Sequence, residues 1–135
     1  MRARDALGRP VPLGSPDAVD PTPEEALPPG EAIAAARSLL AEGRAFSAHE
    51  VLEAVWKAAP PDERHLWQGL AQVCVGLTHL QRGNRVGAAR LLRRGAGLLE
   101  GRAPSYGVDV PKVAADALAL AADIEAGEAG RLLSL

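Results

Sequence analysis

The chain has 135 residues, enough for one domain with a single core and no need of disulfides. Apolar residues make up 47% of it but aromatic ones only 3%, so the core must be built from Leu, Ala and Val, a mix that favours helices over strands. A net charge of −2 gives no global case for a nucleic-acid partner or an acidic membrane surface.

Residues 1–30 hold seven of the 11 prolines, in "PVPLGSP", "DPTP" and "LPPG". Proline removes backbone donors and blocks helix interiors, so this segment reads as an extended or disordered arm. Docking through Val11, Leu13 or Leu27 is the alternative. The first residues carry arginines without a continuous apolar stretch, so no secretory signal is expected. Nothing approaches the roughly 18 apolar residues of a membrane span. The expected location is cytoplasmic, with Cys74 a small core residue in a reducing compartment.

Residues 31–126 carry the helical pattern. A first helix is expected over Glu31–Glu42, with Ile33, Arg37 and Leu40 on one face and Gly43 ending it. The second, Ala48–Ala59, follows Ser47, which with Glu50 completes the capping-box pattern Ser-x-x-Glu. Pro60–Pro61 closes it. Asp62 is placed to cap the third and longest helix, Glu63–Arg82, whose "LWQGLAQVCVGLTHL" is apolar nearly all round, as a central helix is. Asn84 should cap a fourth helix running to Glu100, and Asp109 a fifth running to Ala126, with Pro111 tolerated in its first turn. The tail, 127–135, is expected to fray.

"LAEGRAFSAHEVL" and "LQRGNRVGAARLL" match at Leu40/Leu80, Gly43/Gly83, Ala48/Ala88 and Leu52/Leu92. The expected architecture is therefore all-α: a compact bundle of about five helices, built from two stacked hairpins similar to tetratricopeptide units and closed by the fifth helix.

An α-helix advances about 100° per residue. On the second helix Ala48, Val51, Leu52, Val55 and Ala59 form the core stripe. His49, Glu53 and Trp56 share a neighbouring stripe. The third helix offers its own polar row, His65, Gln68, Gln72 and His79. Buried polar groups need partners, and the two rows supply them if the helices face each other there. The candidate cluster is His49, Glu53, Gln72 and His79, with Trp56 and Trp67 packing nearby. It is either a structural hydrogen-bond network or a small-molecule or hydrolytic site. The set His49, Glu53 and His79 is compatible with a divalent metal, although the HExxH arrangement is absent. Arg82, Arg90, Arg93 and Arg94, with Arg85 near the turn, form a basic strip that could grip phosphate oxygens. Without interleaved aromatics, nucleic acid is the weakest partner class.

"FSAHEVLEAVW" (Phe46–Trp56) and "WQGLAQVCVGLTHLQRGNRVGAARLL" (Trp67–Leu92) resemble the domain-of-unknown-function family numbered 309, from Ala32 to Leu99. That pattern has an aromatic residue, a "HEVWE…W" helix, a "QGLIQ" helix ending in histidine, and "GN…GA…LL". The resemblance implies an all-helical bundle and puts the family's recurrent polar positions on His49, Glu50, Glu53, Gln72 and His79. Two departures are Ser47 for a bulkier residue and Leu52 where tryptophan is common. The family brings no reaction. A structural or partner-binding module is the favoured reading, ahead of the small-molecule or metal site and the arginine-phosphate surface. A protein or a small molecule is the expected partner, and a homo-oligomer is compatible with the sequence.

Overall fold

The computed structural model describes residues 3–21, 25–128 and 133–135. Five helices account for most of it: α1 (Pro29–Ala41), α2 (Ala45–Ala58), α3 (Arg64–Gln81), α4 (Arg85–Leu99) and α5 (Val110–Glu125). The fold is an all-α bundle in which each helix packs on the next in the chain, most extensively α3 on α4.

The repeated segments close in the same way. Gly43 (φ 74°) and Gly83 (φ 81°) are both left-handed, a conformation open to glycine because it lacks Cβ. Across each turn the N–H five residues on bonds back to the helix, Arg44 N to Leu39 O and Asn84 N to His79 O, both at 2.8 Å. This is the Schellman closure, used once before α2 and once before α4. Ala48 and Ala88, each fully buried, then let those helices approach their partners closely.

α3 is buried on two sides because it lies between α2 and α4. Trp67, Leu70, Val73 and Cys74 are all completely buried. Where α3 crosses α4 the side chains disappear. A Cβ on Gly95 would stand 2.9 Å from both Gly69 O and Val73 Cγ2, and one on Gly69 would stand 2.8 Å from Leu99.

Two cap expectations need correction. α2 begins at Ala45, so Ser47 lies inside the helix, and no side chain caps that end. The glycine turn is tight enough for Arg44 O to accept the first helical N–H, from Ala48. Ser47 and Glu50 therefore form no capping box; the Ser47 hydroxyl instead accepts from Arg44 Nη2 at 3.3 Å. Asp62 is likewise no cap, because a 3₁₀ turn over Pro61–Glu63 leads into α3. Asn84 and Asp109 do cap, accepting from Gly87 N at 3.0 Å and Lys112 N at 3.2 Å.

The proline-rich segment has local order. β1 (Ala3–Arg4) pairs antiparallel with β2 (Pro10–Val11). The buried Asp5 carboxylate ties the loop between them, accepting from Leu7 N, Arg9 N and Arg9 Nε. Burial acts to raise the Asp5 pKa, but the Arg9 and Leu7 hydrogen bonds outweigh it and hold it low. The hairpin sits on Phe46: Gly8 touches the ring, and Arg4 lies 4.8 Å above its centroid. Arg82 Nε donates to Leu7 O at 2.9 Å and Arg44 Nη2 to Asp20 O at 2.9 Å. Leu27 packs on the core, while Leu13 is 70% exposed. At the other terminus Leu133 is buried, and Leu135 O accepts from Arg37 Nε at 3.1 Å. Leu133 and Leu135 are thus packed, not frayed, while Ser134 is exposed, and the expectation for 129–132 lies outside the described residues.

Candidate functional site

His49 and Glu53 stand one turn apart on α2, and the turn brings them together: His49 Nε2 is 2.7 Å from Glu53 Oε2. The other ring nitrogen, Nδ1, is 3.2 Å from Phe46 O. A carbonyl and an ionised carboxylate only accept. The shorter contact, to Glu53, therefore places a hydrogen on Nε2. Glu53 Oε1 meets Lys57 Nζ at 2.9 Å. That bond is the main cause holding the Glu53 carboxyl below its ordinary range, with burial opposing and His49 adding to the lowering. The His49 side chain is 18% exposed and sits edge-on to Phe46, the ring that the N-terminal hairpin covers.

The α3 row does not join this pair through hydrogen bonds. Gln72 Oε1 is buried and has no partner. His79 belongs to the next turn, where Asn84 Nδ2 lies 3.1 Å from its Nδ1. Because Asn84 Oδ1 is occupied as a helix cap, its amide donates to His79, which places the His79 hydrogen on Nε2. Among the described residues no three His, Cys, Asp or Glu side chains come together as a metal-ligand group. The proposed set of His49, Glu53 and His79 is thus not assembled, because each histidine is engaged by its own local partner. His65 is exposed. The Cys74 thiol is sealed in the core, and burial pushes its pKa up to about 12, so it is no nucleophile.

Trp67 has its own partners. Its Nε1 donates to Glu63 Oε1 at 3.2 Å, and its ring lies 5.5 Å from that of Tyr106. Tyr106 OH donates to the same Glu63 oxygen at 2.8 Å, which raises the phenol pKa. Trp56 is half-buried against the core. Tyr106 was not singled out in the sequence. It is the first central residue of a tight turn, with φ 51° followed by Gly107 at φ 76°, and Ser105 pairs with Val108 across it. The available signal was the Gly107 that follows it. The corner lines a cleft of about 480 Å³ with Asp62, Arg102 and Ser105.

The arginine strip divides. Arg82 turns to the N-terminal hairpin, with its guanidinium 5.6 Å from the Phe46 centroid. Arg93 pairs with Glu125. Arg90 and Arg94 are exposed and take no hydrogen bond or ion pair from any described residue. A groove of about 560 Å³ opens between α4 and α5 beside Arg90 and Arg93. No helix among the described residues is long and apolar enough to cross a membrane.

Comparison with known proteins bears on the α1–α4 segment. Residues 33–91 match the family described as Domain of unknown function (DUF309). The chain is similar to the "Uncharacterized protein YpuF" of Bacillus subtilis (strain 168), 41% identical over 56 residues. That stretch is 41% of this chain and 32% of the relative, so the match spans about a third of the relative's length. No solved structure matches. Residues 33–91, which run from α1 into α4 and carry the His49–Glu53 helix, are thus similar to the DUF309 family, whose function is unknown.

Proposed function

We propose that this chain is a structural, partner-binding helical module, not an enzyme. One observation supports that reading: the polar side chains that look chemical are spent on local contacts. His49 lies between Phe46 O and Glu53, and His79 is held by Asn84. A ring nitrogen whose hydrogen is already committed offers no lone pair to a metal or a substrate proton. The open groove, by contrast, lies on α4 and α5.

A second reading, a small-molecule or metal site on the α2–α3 row, has its own support in the orphaned Gln72 Oε1, since a buried acceptor without a partner is costly. Thermal unfolding separates the two. His49→Ala and Glu53→Gln should each lower stability by about 1 kcal/mol, the worth of a typical hydrogen bond. Zinc, manganese, iron(II) or nickel should leave the wild-type midpoint unchanged. A midpoint that rises with one of these cations in the wild type, and not in His49→Ala, would favour the second reading. Undiminished stability in both variants would contradict the structural role of the pair.

A further inference from the structure

Although the chain is net acidic, α4 carries four arginines and no acidic residue. Their duties differ. Arg85 Nη2 donates to Glu128 O at 2.7 Å and to Ile124 O at 3.3 Å, which pins the end of α5. Arg93 is held by Glu125, in a pair about half exposed at both ends. Arg90 and Arg94 project into solvent without a protein partner among the described residues.

Beside these charges the surface is aliphatic. Val86 is 83% exposed, the most open of the exposed large apolar residues, and Ala89 and Ile124 line the groove below it. Val86, Arg90 and Arg93 stand at i, i+4 and i+7, so they share one stripe of α4. On α5, Leu118 is 44% exposed and lies seven residues before Glu125, on that residue's stripe. The groove thus combines an aliphatic floor with a cationic rim. A nucleic-acid backbone would satisfy the rim and leave the floor unmatched, and no aromatic residue lines the groove to stack a base.

We propose that the α4–α5 groove docks an acidic amphipathic helix of a protein partner. Aliphatic side chains of that helix rest on Val86, Ala89 and Ile124, and its carboxylates pair with Arg90 on the groove's rim and with Arg94, one turn on and outside the groove lining. A further carboxylate takes Arg93 over from Glu125, which meanwhile keeps that guanidinium in place. The argument is charge complementarity over an apolar floor, the arrangement of a helix-in-groove interface. It rests on the partner-binding reading and adds the surface and the chemistry of the partner. Arg93 and α5 lie beyond the family match at 33–91, so this surface is not defined by the family domain alone.

The probe is a fluorescein-labelled synthetic helix of about 18 residues, long enough to hold helical structure, with leucines at i, i+3, i+4 and i+7 and glutamates between them. A twin carries lysine for glutamate. The glutamate peptide should bind the full chain, weaken with added salt, and exceed its twin by at least tenfold. Arg90→Glu/Arg94→Glu should invert that preference while keeping the wild-type melting curve, and Val86→Glu should weaken the glutamate peptide. Amide shift perturbations should fall on α4 and α5. Equal binding by the charge-reversed variant, or no binding, would overturn the proposal. So would duplex RNA that outcompetes the peptide at the same arginines. Perturbations confined to another face would sink this groove and leave the partner-binding reading standing, whereas a cation bound through His49 would sink that reading itself.

Discussion

At Gly8 the missing side chain is the space that Phe46 occupies, and the backbone is left-handed (φ 79°). Any Cβ there collides with the ring, and overpacking of this kind costs about 1–3 kcal/mol. The hairpin is held by few contacts, so Gly8→Val should release it locally and leave the bundle folded. Hydrogen exchange should then quicken over residues 3–19 while the global melting midpoint moves little. A global collapse would mean that the hairpin belongs to the core. Glu53 supports a prediction in pH. Its folded pKa is depressed, so its contribution is present above the ordinary carboxylate value of 4.5 and is lost as pH falls through the lower native value. The stability gap between wild type and Glu53→Gln should be open at neutral pH and close on acidification, which melting curves across pH would record. The His49–Glu53 contact was legible because i, i+4 spacing is a property of one helix. The orphaned Gln72 Oε1 and the partner of His79 were not, since they depend on how two helices rotate against each other and on a turn whose Asn84 serves two bonds.

Among the elements, the repeat at an offset of 40 was readable as a glycine turn, and the hydrogen bonds at Arg44 and Asn84 show why: one closure is used twice. The start of α2 was misread. A Ser-x-x-Glu pattern fits a cap, but the Schellman turn at Gly43 starts the helix three residues earlier and buries Ala45 and Ser47. The α3–α4 crossing was not visible in composition, because a glycine in a helix lowers helix propensity and signals close packing only once its neighbour is known. Gly95→Ala tests it. Helix propensity favours the change by about 1 kcal/mol, but the new Cβ would meet Gly69 O at 2.9 Å, which backbone cannot readily yield. The expected net result is a loss of up to about 2 kcal/mol in urea unfolding. Gly97→Ala is the internal control. Nothing lies within 4 Å of its Cβ position, so stability should rise by roughly 0.5–1 kcal/mol. If both substitutions stabilise, the helices are not in the tight contact described.

For the whole molecule, the bundle follows from a chain rich in Ala and Leu and poor in aromatics, and its all-α class was readable for that reason. The order within the proline-rich segment was not, because it comes from Asp5 bonding its own loop and from a glycine fitted to one distant ring. The family match covers α1 into α4, while the hairpin over Phe46 and the closing helix α5 lie outside it. Local contacts thus occupy His49 and His79, while Gln72 Oε1 is left without a partner, and the α4–α5 groove is the surface proposed above for a partner. The most direct test of those local contacts is a long-range proton–nitrogen spectrum of the histidine side chains, recorded with and without excess zinc. The account predicts a hydrogen on Nε2 of His49, directed at Glu53, an unprotonated Nδ1 on His79 facing Asn84, and no change in either when zinc is added. Zinc that displaces the His49 Nε2 hydrogen and shifts His79 together with it would contradict the account.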